Sequence, residues 1–596
     1  MDEKSKETQN KAWISPRALS VWFVILTTVV FIAVFSAGFV PSLLANYLGL
    51  PAFALFLSIC IVLSLFLTIG FIRWLGSWHN FKRFLFVLAC LVTFILLFYA
   101  EEDWRGKHDW DQFKRQWVAR GERFDAASAI PPAVPDDQNF AMAPVFDTVD
   151  KLMDPKWRAQ HRNPHSNGDD DSRPWDTNLV NPLEMPISGT GDSPANGTGN
   201  WQKAIMSDLS VWQQYYRTLT VKTNEFPVAP QPQTPSQDVL LALSPYDATL
   251  EQLRQAAQLP YSRFPLGYDM QPPADILLPH LASLKGCAKI LQLRAIAELQ
   301  NDQSDQALAD VKLMLRLSDS IHTEPFLISH LVSIAIMNLT LQPVWEGLVQ
   351  HHWSDAQLAE LDSELAKRDF LSDYHVAMRG ELMLCEIGDI EYLRRYPEQM
   401  PALAGEDGGD ASSRAFAPTL WRLIPNGWFY QNELRCARQV LEFYLPSAEV
   451  DQHLVRPENV LHADDAVIAG TKHPTPFNVM QRLLLPALGA AVTKSASAQE
   501  SVDLARVAIA LERYRLAHGT YPGSLDALAP QYLKPIPHDI INGQPLQYRR
   551  TADGQFVLYS VGWNETDDGG VVVFTKGGGV DNRKGDWVWH SSAVKN

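Results

Sequence analysis

Two short segments of the chain have the residue types that serine-dependent catalysis requires. The segment Gly191-Asp192-Ser193 would supply a nucleophilic serine, and Asp319-Ser320-Ile321-His322 has the Asp-x-x-His spacing of an acid–base pair. However, no apolar strand precedes Gly191, Pro194 follows the serine at once, and the second segment lies in a helical pattern. We therefore interpret both matches as chance and assign no catalytic residue.

Histidines and cysteines were the next candidates for chemistry. His161 and His165 near Asp169 could hold a metal ion, but Pro164 would break a helix that aligned them, so a solvated loop is the simpler interpretation. No Cys-x-x-Cys pair occurs among the five cysteines. The spacing of the three cysteines in the C-terminal two thirds leaves open either one disulfide or isolated buried thiols: Cys287, Cys385 and Cys436.

Charge and length bound the class of protein. A chain of 596 residues is too long for one hydrophobic core, so three or four folding units are expected. Its net charge of −16 argues against nucleic acid as a partner, because phosphate binding requires clustered Lys and Arg. Residues 18–72, between Arg17 and Arg73, are 55 consecutive positions without Asp, Glu, Lys or Arg. Such a stretch predicts contact with the lipid bilayer.

Three apolar spans are predicted in the first hundred residues. They run from about Ala18 to Val40, from Pro51 to Ile72 and from Phe84 to Ala100, after a tail of residues 1–17. Each is near the roughly 20 residues that cross the hydrocarbon core of a membrane as a helix. The third has only 17 residues between Arg83 and Glu101 and is the weakest of the three. Residues 18–100 are therefore predicted to form a three-helix transmembrane anchor.

The flanking charges predict the orientation of this anchor. Four basic residues precede the first span, three lie between the second and third, and Glu101-Glu102-Asp103 follows the third. The positive-inside rule places the N-terminus in the cytoplasm and residues 101–596 on the other side of the membrane. If the third span lay in the interface instead of crossing, the soluble part would face the cytoplasm.

The soluble part divides by composition. Residues 101–236 contain a segment rich in Pro, Asp and Gly, which predicts a partly disordered linker. Residues 237–445 have mainly helical periodicity, with capping-box spacings at Thr249–Gln252 and Ser354–Gln357. Residues 446–478 read as a loop-rich connector.

The stretch from Ala295 through Asp302 to Leu315 resembles the inter-helix turn of a tetratricopeptide unit, without a clear 34-residue recurrence. A helical bundle and a solenoid both remain open for this region.

The last segment, residues 479–596, predicts a small α+β domain. A long helix to Ala517, ended by Gly519, leads into four strand-like runs, and Asp553-Gly554 between the first two is a hairpin signal. The predicted strands are Pro545–Arg550, Gln555–Val561, Val571–Thr575 and Asp586–Trp589.

About 100 residues of this segment resemble the major pseudopilin of type II secretion. The positions that carry the resemblance are Ala510-Leu511, Tyr514, Gly519-Thr520-Tyr521-Pro522, Leu525, Leu528, Pro537, Asp539, Gly543, Pro545, Tyr548, Leu558-Tyr559-Ser560, Gly562, Gly569-Gly570 and Asp586. Unlike a fibre subunit, the chain has no prepilin-peptidase site before this helix, which we interpret as amphipathic with Lys494, Glu500 and Arg506. The resemblance therefore implies a pseudopilin-like domain reused as a folded module, in a protein of the bacterial inner membrane with residues 101–596 in the periplasm.

In pseudopilins the final loop binds calcium, and the resemblance implies a possible calcium loop here. The matching oxygen-bearing residues are Ser560, Asn564, Asp567, Asp568 and Asp586. Asn564 stands where the family has an aspartate. The alternative is an Asp/Gly-rich turn that binds no ion.

Together these observations predict a mainly α protein with a three-helix transmembrane anchor, a bundle or solenoid-like middle and a small α+β pseudopilin-like C-terminal domain. The first hypothesis for its function is a membrane-anchored extracytoplasmic scaffold that binds protein partners and has no evident catalytic activity. Two alternatives remain. One is a component that docks on a secretion or pilus-like assembly, and the other is a periplasmic enzyme with its site in the helical domain.

Overall fold

The chain is mainly α-helical with small β-sheets, as predicted. A computed structural model describes residues 62, 66–147, 194, 197–223, 226–231, 233–399, 422–473, 475–484 and 488–593. The predicted first span and most of the second lie outside these residues, as do Gly191-Asp192-Ser193, His161 and His165.

The helices are α1 (Phe66–Leu75), α2 (Trp78–Val118), α3 (Leu209–Thr223), α4 (Pro235–Leu243), α5 (Asp247–Ala256), α6 (His280–Leu299), α7 (Ser304–Asp319), α8 (Leu327–Val349), α9 (Asp355–Leu365), α10 (Phe370–Gly380), α11 (Ile387–Arg395), α12 (Asn426–Gln439), α13 (Pro457–Thr471), α14 (Val479–Leu484) and α15 (Leu488–His518). A four-residue helical turn, Ala126–Ala129, follows α2. Two π-helical turns, Glu381–Glu386 and Val440–Tyr444, continue α10 and α12. Short 3-10 turns lie at Asp136–Gln138, Phe140–Met142, Pro144–Phe146, Trp201–Lys203, Ser244–Tyr246, Pro273–Asp275, Pro397–Gln399, Leu445–Ser447, Val450–Gln452 and Leu525–Leu528.

The strands are β1 (Ala448–Glu449), β2 (Leu454–Val455), β3 (Gln547–Arg550), β4 (Phe556–Ser560), β5 (Val572–Phe574), β6 (Val580–Gly585) and β7 (Trp587–His590). Strands β3, β4 and β7 form an antiparallel sheet in that order, β5 and β6 form a separate hairpin, and β1 pairs with β2. The strand β6 was not predicted, because its sequence has no apolar alternation.

The chain divides into two compact units, Met1–Phe113 with Ile390–Asn432, and Lys114–Asp389 with Glu433–Asn596. In the first unit, α2 and α12 cross closely at two glycines. A Cβ at Gly106 would lie 2.2 Å from the Gly427 carbonyl oxygen, and one at Gly427 would lie 1.9 Å from the Glu102 carbonyl oxygen. The buried Glu102 carboxylate accepts hydrogen bonds from Trp428 Nε1 (3.0 Å) and Arg105 Nη2 (2.7 Å). The two small residues therefore permit a main-chain contact that any larger side chain would block.

Two helices in the described residues are long and apolar enough to cross a membrane, α2 and α8. The apolar part of α2 contains the predicted third span, and its apolar window has no buried residue. By contrast, 67% of the α8 window is buried, because α8 is a core helix of the second unit. Of these two helices, α2 is the one that exposes its apolar surface.

In the second unit, α6, α7 and α8 form successive antiparallel helices around an apolar core. The turn between α6 and α7, where the tetratricopeptide-like spacing was noted, contains Asp302 at a positive φ of 55°. Cys287 and Cys436 are buried and Cys385 is half-buried, and all three are free thiols. The sequence had left a disulfide among them open, and the structure has none.

Helix α15 lies in the second unit and is buried along most of its length, with Lys494 exposed. Almost every side chain from Leu488 to Glu512 is buried, so the amphipathic interpretation of this helix is wrong. Glu500 is completely buried and accepts a hydrogen bond from Ile540 N at 3.0 Å, and Arg506 pairs with Asp362 at 2.9 Å. Helices of the middle region cover the faces that we expected to meet water.

One hydrophobic core joins the helices of the middle region to the C-terminal sheet. Its buried members include Val311 on α7, Trp345 on α8, Leu358 on α9, Leu504 on α15, Leu558 on β4 and Trp589 on β7. The Trp345 indole donates to the carbonyl oxygen of His590 at 2.7 Å, and the rings of Trp201 and Trp589 lie 5.3 Å apart. Residues 479–596 thus share their apolar interior with the helices before them.

Of the two helix caps predicted from the sequence, one forms and one does not. The Ser354–Gln357 capping box forms at the start of α9, and Trp353 and Leu358 are buried in the same core, as a hydrophobic staple requires. The capping box at Thr249 is wrong, because α5 begins at Asp247 from a preceding helical turn and has no side-chain cap. A capping box that we missed, Thr234 with Gln237, starts α4.

Candidate functional site

A polar cavity of about 160 Å³ lies where the end of α7 meets the turn between α9 and α10. Its lining residues come from four parts of the second unit: Ser318, Asp319, His322, Ser333, Lys367, Arg368, Asp369, Phe370, Ser372 and Asp373. Charged and hydroxyl side chains predominate, and Phe370 is the one large apolar group among them. The cavity is therefore suited to a small polar ligand.

Asp319 organises one wall of the cavity. It is the last residue of α7, and its carboxylate accepts hydrogen bonds from Arg368 Nη1 at 2.6 Å and from Arg316 Nη1 at 3.3 Å. His322 lies one turn further on, and its Nδ1 donates to the main-chain oxygen of Asp319 at 2.6 Å. Since a carbonyl oxygen only accepts, Nδ1 carries the proton and Nε2 of a neutral imidazole keeps its lone pair.

The opposite wall is the first turn of α10. Asp369 is the N-cap residue, and its carboxylate accepts from Ser372 N at 2.9 Å. Asp373 follows on the same face. Its side chain makes no hydrogen bond or ion pair within the described residues. Burial raises the pKa of Asp373 to about 7, with further raising from Asp369 and Asp319 and lowering from His322 and Arg368. This carboxyl group therefore changes charge near neutral pH.

Asp373 and His322 both line the cavity. A carboxyl group whose pKa is about 7 can both give and take a proton at neutral pH, and the Nε2 lone pair of a neutral His322 can accept a hydrogen bond. Ser372 adds a hydroxyl group in the same cavity. The arrangement can thus bind a ligand rich in donors or assist a reaction that moves a proton.

Only part of this cavity was noticed in the sequence. It noted the Asp319–His322 spacing and interpreted it as chance, and it missed Lys367, Arg368, Asp369 and Asp373. The two segments are about 50 residues apart in sequence, and they meet only because α7, α9 and α10 pack together. The N-cap pattern at Asp369 was the one local signal for the start of α10. Ser193, in the other segment that we interpreted as a chance match, lies outside the described residues.

The five residues of the predicted calcium loop lie in one region at the end of the C-terminal sheet. Ser560 ends β4, Asn564, Asp567 and Asp568 follow in the loop, and Asp586 lies between β6 and β7. The loop is closed by its own hydrogen bonds. Asp586 is 1% exposed and accepts from the main-chain N–H groups of Asp568 (3.2 Å), Gly570 (2.6 Å) and Val571 (3.1 Å).

One oxygen of each of three further side chains accepts a hydrogen bond within this loop. Asp567 Oδ1 accepts from Tyr559 Oη at 2.9 Å, Asp568 Oδ2 accepts from Asn564 Nδ2 at 3.0 Å, and Ser560 Oγ accepts from Gly562 N at 3.1 Å. No group of three or more His, Cys, Asp or Glu residues that could hold a metal ion occurs in the part of the chain that the structure describes. The second carboxylate oxygens of Asp567 and Asp568 are not used in these bonds, and calcium binding by the loop stays a prediction.

Comparison of the chain with family models, with curated proteins and with solved structures finds no match.

Proposed function

We propose that this protein is a membrane-anchored scaffold that binds protein partners through its C-terminal pseudopilin-like domain. The shared hydrophobic core carries the proposal: the C-terminal sheet is built onto the helical region as one body and not attached by a linker. A cooperatively folded domain in the same chain as a membrane anchor suits a protein that holds others at a membrane.

The anchor is supported by α1 and α2. From Leu85 to Phe98 the large apolar side chains of α2 are mostly exposed, with Phe86 at 66% and Phe94 at 69%. Burying this surface in lipid is worth about 25 cal/mol per Å², so water is a poor environment for it. The charge bias around the spans supports a cytoplasmic N-terminus and a periplasmic location for residues 101–596 in a bacterial inner membrane.

The topology is tested by protease protection in spheroplasts. We expect a tag at residue 596 to be removed by externally added protease and a tag at residue 1 to be protected. The reverse pattern, or protection of both tags, would contradict the orientation.

The partner surface is proposed to include the β5–β6 hairpin. Val571, just before β5, and Phe574, its last residue, are 53% and 51% exposed, so each offers apolar surface that a partner could cover. The resemblance to pseudopilins favours components of a secretion or pilus-like assembly as partners.

A photo-crosslinking amino acid at Phe574 tests this surface, with the same group at Val221, which is 88% exposed, as the matched control. We expect a crosslink to a purified major pseudopilin from position 574 and none from position 221. Equal yields at the two positions would remove the hairpin from the proposal.

Calcium binding stays a proposal that rests on the resemblance alone. If calcium binds, millimolar calcium should raise the melting temperature of the full-length protein, and Asp567→Asn should weaken the effect. An unchanged midpoint would leave the loop as a hydrogen-bonded turn.

A second candidate function is catalysis in the cavity of the helical region, and the Asp373–His322 pair favours it. We propose general acid–base chemistry on a small polar substrate. Chromogenic ester, amide and phosphate substrates test this, with Asp373→Asn and His322→Gln as variants. Turnover that both variants lose would support an enzyme, and turnover that neither variant alters would place the reaction elsewhere.

A further inference from the structure

The cavity beside α10 contains one acidic group that the chain itself does not neutralise. Asp319 has two arginine donors, and Asp369 has a main-chain N–H from the helix that it caps. Asp373 also lines the cavity, without a hydrogen bond or ion pair among the described residues. A half-buried carboxylate without a donor is poorly solvated, so this position favours a ligand that brings one.

Each basic group of the cavity already pairs with a carboxylate. Arg368 donates to Asp319, its side chain is only 9% exposed, and its Nε is buried without a hydrogen-bond partner. Lys367 is 58% exposed and pairs with Glu364 at 2.7 Å. An anionic ligand would therefore compete with carboxylates that are already bound, whereas Asp373 offers an ammonium group a carboxylate without such a partner.

Two further residues of the cavity lining offer hydrogen-bond acceptors. His322 Nε2 keeps a lone pair because Nδ1 donates to a carbonyl oxygen, and His322 is 44% exposed. The hydroxyl oxygen of Ser372 can also accept. A ligand that matches this wall needs several hydrogen-bond donors on one positively charged centre.

We propose that this cavity binds a small molecule that carries a primary ammonium group, with the Asp373 carboxylate as its counter-ion and His322 Nε2 as a second acceptor. The volume of about 160 Å³ limits the ligand. Engineered protein cavities of roughly 150 Å³ hold a benzene molecule, so a ligand of about six non-hydrogen atoms is expected. The inference concerns a site separate from the C-terminal hairpin and does not depend on the scaffold proposal.

Binding is coupled to the ionisation of Asp373. The groups that act on this carboxyl are His322, Asp319, Asp369 and Arg368, and burial raises its pKa to about 7. The ammonium group requires the ionised form, so binding below this pH releases a proton from Asp373. Affinity should rise up to about tenfold per pH unit below 7 and level off above 7.

The experiment uses the full-length chain in detergent and three probes of the same size, n-butylamine, n-butanol and butyrate, in isothermal titration calorimetry at pH 8. Two variants neutralise a carboxylate: Asp373→Asn inside the cavity and Glu360→Gln, a matched control that, like its partner Lys312, does not line it. We expect butylamine to bind to the wild type and to Glu360→Gln, and to bind at least tenfold more weakly to Asp373→Asn. Butanol and butyrate should bind weakly or not at all.

Three binding results overturn the proposal. They are butyrate binding as tightly as butylamine, no difference in butylamine affinity between the wild type and Asp373→Asn, and failure of all three probes to bind the wild type. A measurement without any variant guards against misfolding: titrations at pH 6 in buffers of different ionisation enthalpy should show close to one proton released per butylamine bound. Absence of that release would refute Asp373 as the counter-ion.

Discussion

Replacing Trp589 by alanine tests whether the C-terminal sheet and the middle helices unfold as one body. Trp589 is on β7 and is 1% exposed. Its ring lies 5.3 Å from that of Trp201, outside the C-terminal segment, and it belongs to the same buried cluster as Trp345 on α8. The substitution therefore removes packing on both sides of the boundary that the sequence predicted at residue 479.

The expected loss of stability follows from burial. A fully buried Trp replaced by Ala costs about 3–5 kcal/mol, which includes the cavity left behind. The aromatic pair with Trp201 contributes about 0.5–1.5 kcal/mol of such a loss. The hydrogen bond from the Trp345 indole to the His590 carbonyl oxygen is retained, because it involves the main chain of the neighbouring residue.

Hydrogen–deuterium exchange of the full-length protein in urea shows which helices and strands lose stability when Trp589 is replaced. We expect peptides of α8 and peptides of β3 and β4 to lose the same free energy of opening, about 3–5 kcal/mol, because both rest on one core. The control is Phe574→Ala on β5, where the side chain is 51% exposed and the change should stay within about 0.5 kcal/mol.

One result would refute the reasoning. If exchange accelerated only in β3, β4 and β7 while α8 kept its protection, the C-terminal segment would be an independent module, as its resemblance to a pseudopilin domain suggested. The shared core would then contribute little to the stability of the helices.

Three further predictions concern charge, pH and helix contact. Asp310→Ala should lower the free energy of unfolding by about 3–5 kcal/mol, because this buried carboxylate pairs with two arginines, whereas Glu360→Ala, which removes an exposed ion pair, should cost less than about 1 kcal/mol in the same denaturant titration. The hydrogen bond to Asp503 raises the pKa of His453, so the stability that this bond gives the folded protein should be complete below about pH 6.5 and be lost as pH rises through the raised pKa. Asp503→Asn should flatten the plot of melting temperature against pH over this range. An unaltered slope would contradict the assignment. In Gly427→Leu the added Cβ would lie 1.9 Å from a main-chain carbonyl oxygen of α2, so α12 should become sensitive to limited proteolysis. If the variant resisted the protease as well as the wild type does, α2 and α12 could separate at this crossing without cost.

Signals that depend on neighbouring residues were readable from the sequence. Ser354 and Gln357 are three residues apart and cap α9 as predicted, and the Asp553-Gly554 hairpin joins β3 to β4 with Gly554 at a φ of 83°. Gly519 ends α15 as predicted, with a φ of 78°, and the last helical residue is His518, one residue after the expected Ala517. In each case the cause is local geometry, so a few residues suffice to predict it.

Properties that depend on packing were not readable. Glu500 suggested a solvated helix face, yet it is completely buried, and only the arrangement of the surrounding helices shows this. The cavity had the same difficulty, since Asp319 and Asp373 come together through the contacts of α7, α9 and α10. The strand β6 was missed because Asp581, Asn582, Arg583 and Lys584 obscure its pattern.

The cavity and the C-terminal sheet are linked through α15. Phe370, which lines the cavity, donates its main-chain N–H to Gln499 Oε1 on α15 at 2.9 Å, and α15 also packs on the sheet through the shared core. A ligand that binds only the folded state stabilises it by RT ln(1 + [L]/Kd), about 2.7 kcal/mol at a hundredfold excess over Kd. If the second unit unfolds cooperatively, this added stability is felt by all of its helices and strands. Saturating butylamine should therefore slow hydrogen exchange in β3 and β4 as well as in α10. Protection confined to α10 would mean that the ligand stabilises only a local segment, and that the cavity is independent of the domain proposed to bind partners.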